Sequence, residues 1–155
     1  MFDGRPLIVG VGNAFRSDDG VGPLVAETLA SKGFETQVHA GDGTGLMQLF
    51  ETRDGVVLVD ATRSGAEPGT LIALDALAGK LPADLFHYST HRFGLAEAVE
   101  TARALDALPK RLLVYGIEGR DFGSGTDLSE PVMAAARRLV ARLAREFGPE
   151  NSAVP

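Results

Sequence analysis

The sequence predicts a single-domain α/β fold, a three-layer sandwich in which a twisted, mostly parallel sheet of about five strands carries helices on both faces. Three observations predict it. Strand-like and helix-like segments alternate along almost the whole chain, with no internal repeat, and that alternation builds helix-covered parallel sheets. The central strand candidates are near-continuous apolar runs, such as Val56-Val-Leu-Val59, as strands buried on both faces require. The 155 residues, 45% of them hydrophobic and with a mean hydropathy of +0.05, suit one core rather than two. Residues 1–148 are therefore expected to form the domain, and 149–155 a disordered tail.

Taken in order, residues 7–11 read as a buried strand. Val21, Leu24, Val25, Thr28 and Leu29 then recur at helical spacing, with Pro23 in the first turn and Gly33 as the stop. A second strand is expected over 36–40 and a short helix over 45–52, capped by Thr44. The apolar strand 56–60 ends on Asp60. Residues 70–74 follow after a loop too short for a parallel crossover, which predicts an antiparallel edge strand. The irregular stretch 84–93 carries two of the three histidines, and loops of that length usually serve a function. A helix over 95–108, a strand over 112–117, a glycine-rich loop over 119–126 and a helix over 130–147, with Ser129 as N-cap and Gly148 as stop, complete the domain.

Where the first strand meets the first helix stands Gly10-Val-Gly-Asn-Ala-Phe-Arg-Ser-Asp-Asp-Gly-Val-Gly22. Open α/β sheets bind ligands at such junctions. A dinucleotide fingerprint would need a third glycine where Phe15 stands, and no Gly-Lys-Ser/Thr follows to make a phosphate loop. Asp18 and Asp19 at the helix start would repel a phosphate. The junction suits a cation or a positively charged group.

Bulk charge agrees. A net charge of -6 and a pI near 5.0 argue against nucleic acid and against an acidic membrane surface as partners. Arg137, Arg138, Arg142 and Arg145 read as the solvated face of the last helix. The absence of cysteine excludes disulfides, thiolate metal sites and a cysteine nucleophile. An N-terminus with Asp3 and no long apolar run reads as a soluble, cytoplasmic protein without signal peptide or membrane span.

Asp19 and Asp60 are expected at the carboxyl edge of the sheet, with His91 in a loop that crosses it. Two carboxylates and an imidazole suit Zn, Ni, Fe or Mn, and three protein ligands leave positions open for substrate or water. Each residue has a plainer reading. Asp18 or Asp19 serves as a helix cap, Asp60 as a turn residue and His91 as a hydrogen-bonded loop histidine. A helix needs one cap, so Asp18 is expected to cap and Asp19 to face the crevice. His39 and His87 read as structural, and Glu118 as an acid supporting the site from behind. The serine-elbow, zinc-helix and thiol signatures of common hydrolases are all missing.

Gly10-Val-Gly-Asn13 with Ser17-Asp-Asp-Gly-Val-Gly22, Gly41-Asp-Gly-Thr44, Val59-Asp-Ala61, Pro68-Gly-Thr70, His91-Arg-Phe-Gly-Leu95 and Tyr115-Gly-Ile-Glu118 followed by Leu128-Ser129 together resemble the hydrogenase maturation proteases. The motifs run in order from residue 7 to about residue 135. The resemblance implies an endopeptidase that removes the C-terminal extension of a [NiFe] hydrogenase large-subunit precursor after nickel insertion. It also implies that Asp19, Asp60 and His91 form a metal-contacting, catalytic trio that probes the precursor's nickel. Nickel would then be recognised in the substrate, with no tightly bound cofactor of the protein's own. Two positions depart from the family pattern, an aspartate at 19 where some members have glutamate and Gly119 where proline is common. Two other functions stay open at this point, a small metal-dependent hydrolase with its own ion and a nickel-checkpoint protein that binds the precursor without cutting it.

Overall fold

The structure is a computed structural model that describes residues 5–82, 84–86 and 92–148. The expected tail at 149–155 lies outside the described residues. Strands β1 (Leu7–Val11), β2 (Thr36–His39), β3 (Gly55–Thr62), β4 (Leu71–Asp75) and β5 (Arg111–Glu118) form one sheet in the order β2-β1-β3-β5-β4. The first four in that order run parallel, and β4 pairs antiparallel with β5 at the edge. The short 63–70 connection after β3 explains the reversal, because a parallel return would need a crossover of a dozen residues or more.

Alternation along the strands assigns the two faces. Leu7, Val9, Val11, Val56, Leu58, Leu112 and Val114 share one core with α2 (Gly43–Phe50) and α3 (Leu95–Ala104). Ile8, Val57, Val59, Ala61, Tyr115 and Ile117 share the other with α1 (Val21–Ala30) and α4 (Glu130–Phe147). The apolar runs are therefore two interleaved half-cores, which is why the central strands lack polar alternation.

Close approach of α1 to β1 explains the glycines of the first junction. A Cβ on Gly10 would lie 2.1 Å from the Gly22 carbonyl oxygen, and one on Gly22 would lie 2.3 Å from the Val11 carbonyl oxygen. Backbone meets backbone there, and only hydrogen fits.

Three expectations about element ends change. The N-cap of α2 is Asp42, whose side chain accepts from Gly45 N at 3.0 Å, and not Thr44. The strand does not end on Asp60 but runs on to Thr62, because β5 still offers partners at Ile117 and Glu118 after β1 has stopped. Helix α3 stops at Ala104 rather than 108, where Asp106 takes a left-handed φ of 56° and turns the chain toward β5.

Candidate active site

Chain connectivity reverses between β1 and β3, since β1 leads through α1 to β2 on one side while α2 carries the chain back to β3 on the other. Beyond the carboxyl ends of these two strands lies the crevice such sheets offer to ligands. Asp60 stands one position past the Gly10–Val59 pair, at the mouth of that crevice. Asp19 reaches it from the 3-10 turn Ser17–Gly20 that follows β1. Both side chains line a single cleft of about 410 Å³, and both residues are largely buried, 7% and 6% exposed.

Local bonding holds the two acids. Asn13 N donates to Asp19 Oδ2 at 2.9 Å, while Asn13 Oδ1 accepts from Phe15 N at 2.9 Å, so one asparagine both shapes the turn and orients the acid. Asp60 Oδ1 accepts from Ala61 N at 2.8 Å. Desolvated carboxylates lining one cleft favour a cationic guest, since each gains more from a positive partner there than in water.

Asp18 does something other than the capping expected of it. Its side chain makes no cap bond to the 3-10 turn or to α1. It turns away from the cleft, fully buried, and accepts from Arg120 N, Asp121 N, Ser129 N and Ser129 Oγ at 2.7–3.0 Å. Burial disfavours its charge, but the backbone bonds from Asp121, Ser129 and Arg120, with the Ser129 hydroxyl, outweigh that and hold its carboxyl below the ordinary value. Ser129 occupies the N-cap position of α4, yet its hydroxyl serves Asp18 rather than the helix. The two loops are stitched further by Ser17 N to Gly125 O at 2.8 Å and Gly125 N to Phe15 O at 3.0 Å. Ser17 adopts a φ of 50°, a left-handed conformation that costs a non-glycine residue about 1 kcal/mol or more and sends the two neighbouring aspartates to opposite sides.

Glu118 anchors the chain just beyond Asp60. Buried at the end of β5, it accepts from Thr62 Oγ1 at 2.7 Å, from Ser64 N and Oγ, and from Gly65 N. It fixes the loop that leaves the Asp60 strand. The nearest sequence signal for both anchors is an acid beside a strand end or helix start, which does not name its partner. His39 accepts from Gly41 N through Nδ1 at 2.9 Å, in keeping with a structural role.

His91 and His87 lie outside the described residues. Phe86, which immediately precedes that segment, and Leu95, four residues after His91, both line the cleft. Among the described residues, no three His, Cys, Asp or Glu side chains group to hold a metal ion.

Comparison with known proteins decides the family. The family model for the hydrogenase maturation protease (HycI) matches residues 24–146. The chain belongs to the hydrogenase maturation protease family. Hydrogenase expression/formation protein HupD of Rhizobium leguminosarum bv. viciae is 29% identical over 167 residues, covering 97% of this chain and 82% of the relative. The hydrogenase 2 maturation protease of Escherichia coli strain K12 is 29% identical over 158 residues, covering 94% of each. Among solved structures, the [NiFe] hydrogenase maturation protease HybD from Thermococcus kodakarensis superposes with a TM-score of 0.73 at 25% identity, covering 92% of this chain and 99% of that one. This maturation protease is thus a peptidase with the α/β sandwich of its relatives. No helix among its described residues is long and apolar enough to cross a membrane.

Proposed function

We propose that this protease removes the C-terminal extension of a nickel-loaded [NiFe] hydrogenase large-subunit precursor, and that Asp19, Asp60 and His91 contact the nickel the precursor brings. The observation that carries the reading is the cleft. Two largely buried acids line it, and so do Phe86 and Leu95, which stand on either side of His91 in the sequence.

Nickel is part of the substrate in this reading. Coordination shared between protease and precursor pins the scissile segment against the cleft and converts recognition into positioning. A carboxylate beside the pinned peptide is placed to take a proton from an attacking water, a contribution of about a hundredfold or more. The test is to incubate the protein with nickel-loaded precursor and follow the precursor's mass. Loss of a C-terminal peptide is expected, and a precursor that stays intact while bound would reassign the protein as a checkpoint.

A further inference from the structure

Phe15 lines the same cleft as Asp19 and Asp60, and it is 73% exposed. Its backbone is not slack. Phe15 N donates to Asn13 Oδ1 at 2.9 Å and Phe15 O accepts from Gly125 N at 3.0 Å, so the ring is carried on a turn braced from within by Asn13 and tied to the loop between β5 and α4. Val38, 48% exposed, lines the cleft as well and belongs to β2, one of the two edge strands of the sheet. The cavity therefore has two chemistries, buried carboxylates within and exposed apolar side chains at its margin.

Scattered surface hydrophobes need no explanation, but a phenylalanine held out by two backbone bonds at the mouth of a catalytic cleft does. From this geometry we infer that Phe15 and Val38 form a docking rim for an extended, apolar segment of the precursor that adjoins its metal-bearing stretch. The inference rests on the reading of the cleft above. Charge and continuity select the occupant. The acids take the cationic, metal-bearing part, and the chain continuing from it must cross the margin where Phe15 and Val38 stand. An anchor of this kind contributes to ground-state binding and leaves the chemistry at the acids alone.

The test uses the full-length protein and nickel-loaded precursor. Phe15→Ser is expected to raise KM, and the dissociation constant measured separately by titration, about tenfold, with kcat within about twofold. Phe15→Leu is expected to restore most of the loss, and neither change should move the melting temperature, because the side chain is exposed. Unchanged KM and binding in Phe15→Ser, or a Phe15→Leu variant as impaired as Phe15→Ser, would overturn the rim. So would a wild-type dimer that Phe15→Ser dissolves, since the occupant is then a second copy. If the wild type binds precursor through Phe15 but never shortens it, the rim stands and the peptidase reading of the cleft fails. If it neither binds nor cuts, both fall.

Discussion

The carboxylate of Asp18 receives both the backbone N–H and the hydroxyl of Ser129, at 2.7 and 2.8 Å, across 111 residues of chain. With the N–H groups of Arg120 and Asp121 added, one buried side chain ties the turn bearing Asp19 to the loop between β5 and α4. Removing it strips four hydrogen bonds to one buried charged group and leaves their part-buried donors to find water instead. Asp18→Ala is therefore expected to destabilise the fold by about 2–4 kcal/mol, measured by denaturant unfolding.

The same carboxylate makes stability depend on pH in a definite direction. Its folded value lies below the ordinary 3.8, so its contribution is complete above that value and is lost as pH falls through the lower folded one. Wild type and Asp18→Ala should differ most in melting temperature from pH 5 upward and converge in stronger acid. A gap that stays constant, or widens as pH drops toward 3, would show that Asp18 is not bound as a carboxylate.

Much of the fold was legible because its signals are local. Apolar runs mark β1, β3 and β5, the short 63–70 loop forces β4 antiparallel, and helical spacing outlines α1 and α4. Topology alone placed the crevice beside the carboxyl ends of β1 and β3, and two of the three proposed site residues, Asp19 and Asp60, line it. What stayed hidden was set by partners remote in sequence. Nothing beside Asp18 announces a loop more than a hundred residues away, and the length of β3 beyond Asp60 depends on how far β5 continues. The cap of α2 falls on Asp42, two residues before the expected Thr44, because Asp42 holds the extended angles from which its side chain accepts from Gly45 N. His91 lies outside the described residues, so its place in the trio rests on the family resemblance.

The first helix seats on bare backbone, which gives a sharp contrast between glycines. Gly10→Ala would place a methyl 2.1 Å from the Gly22 carbonyl oxygen, and only movement of α1 relieves that. A loss of about 2 kcal/mol or more is expected, with reduced cleavage, because the shift carries the Asp19 turn along. Gly79, with nothing within 4 Å of its would-be Cβ, is the control, and Gly79→Ala should change stability by less than about 0.5 kcal/mol. Thermal unfolding of the pair checks both.

Asp19→Asn and Asp60→Asn keep side-chain size and an oxygen able to accept from Asn13 N or Ala61 N. Melting temperatures are accordingly expected to change little, or to rise slightly as repulsion between the two acids is relieved. Cleavage of nickel-loaded precursor should fall about a hundredfold or more in each. If both variants process precursor at near wild-type rates, the two acids only shape the cleft.

The last expectation concerns metal. Two carboxylates and one imidazole, without a thiolate, make a weak site for a free divalent ion, so the purified protein is expected to be largely metal-free. A weak site suits an ion that arrives already held by another protein, because each partner then completes the other's coordination and neither releases the ion alone. Cleavage should consequently require nickel in the precursor, and unrelated peptides should survive. Metal analysis of the purified protein, followed by matched rates on nickel-loaded and nickel-free precursor, separates the cases. Equal rates on both, or a tightly metallated protein that hydrolyses generic peptides, would mean that the ion belongs to the protease and that Asp19, Asp60 and His91 hold it as a resident cofactor.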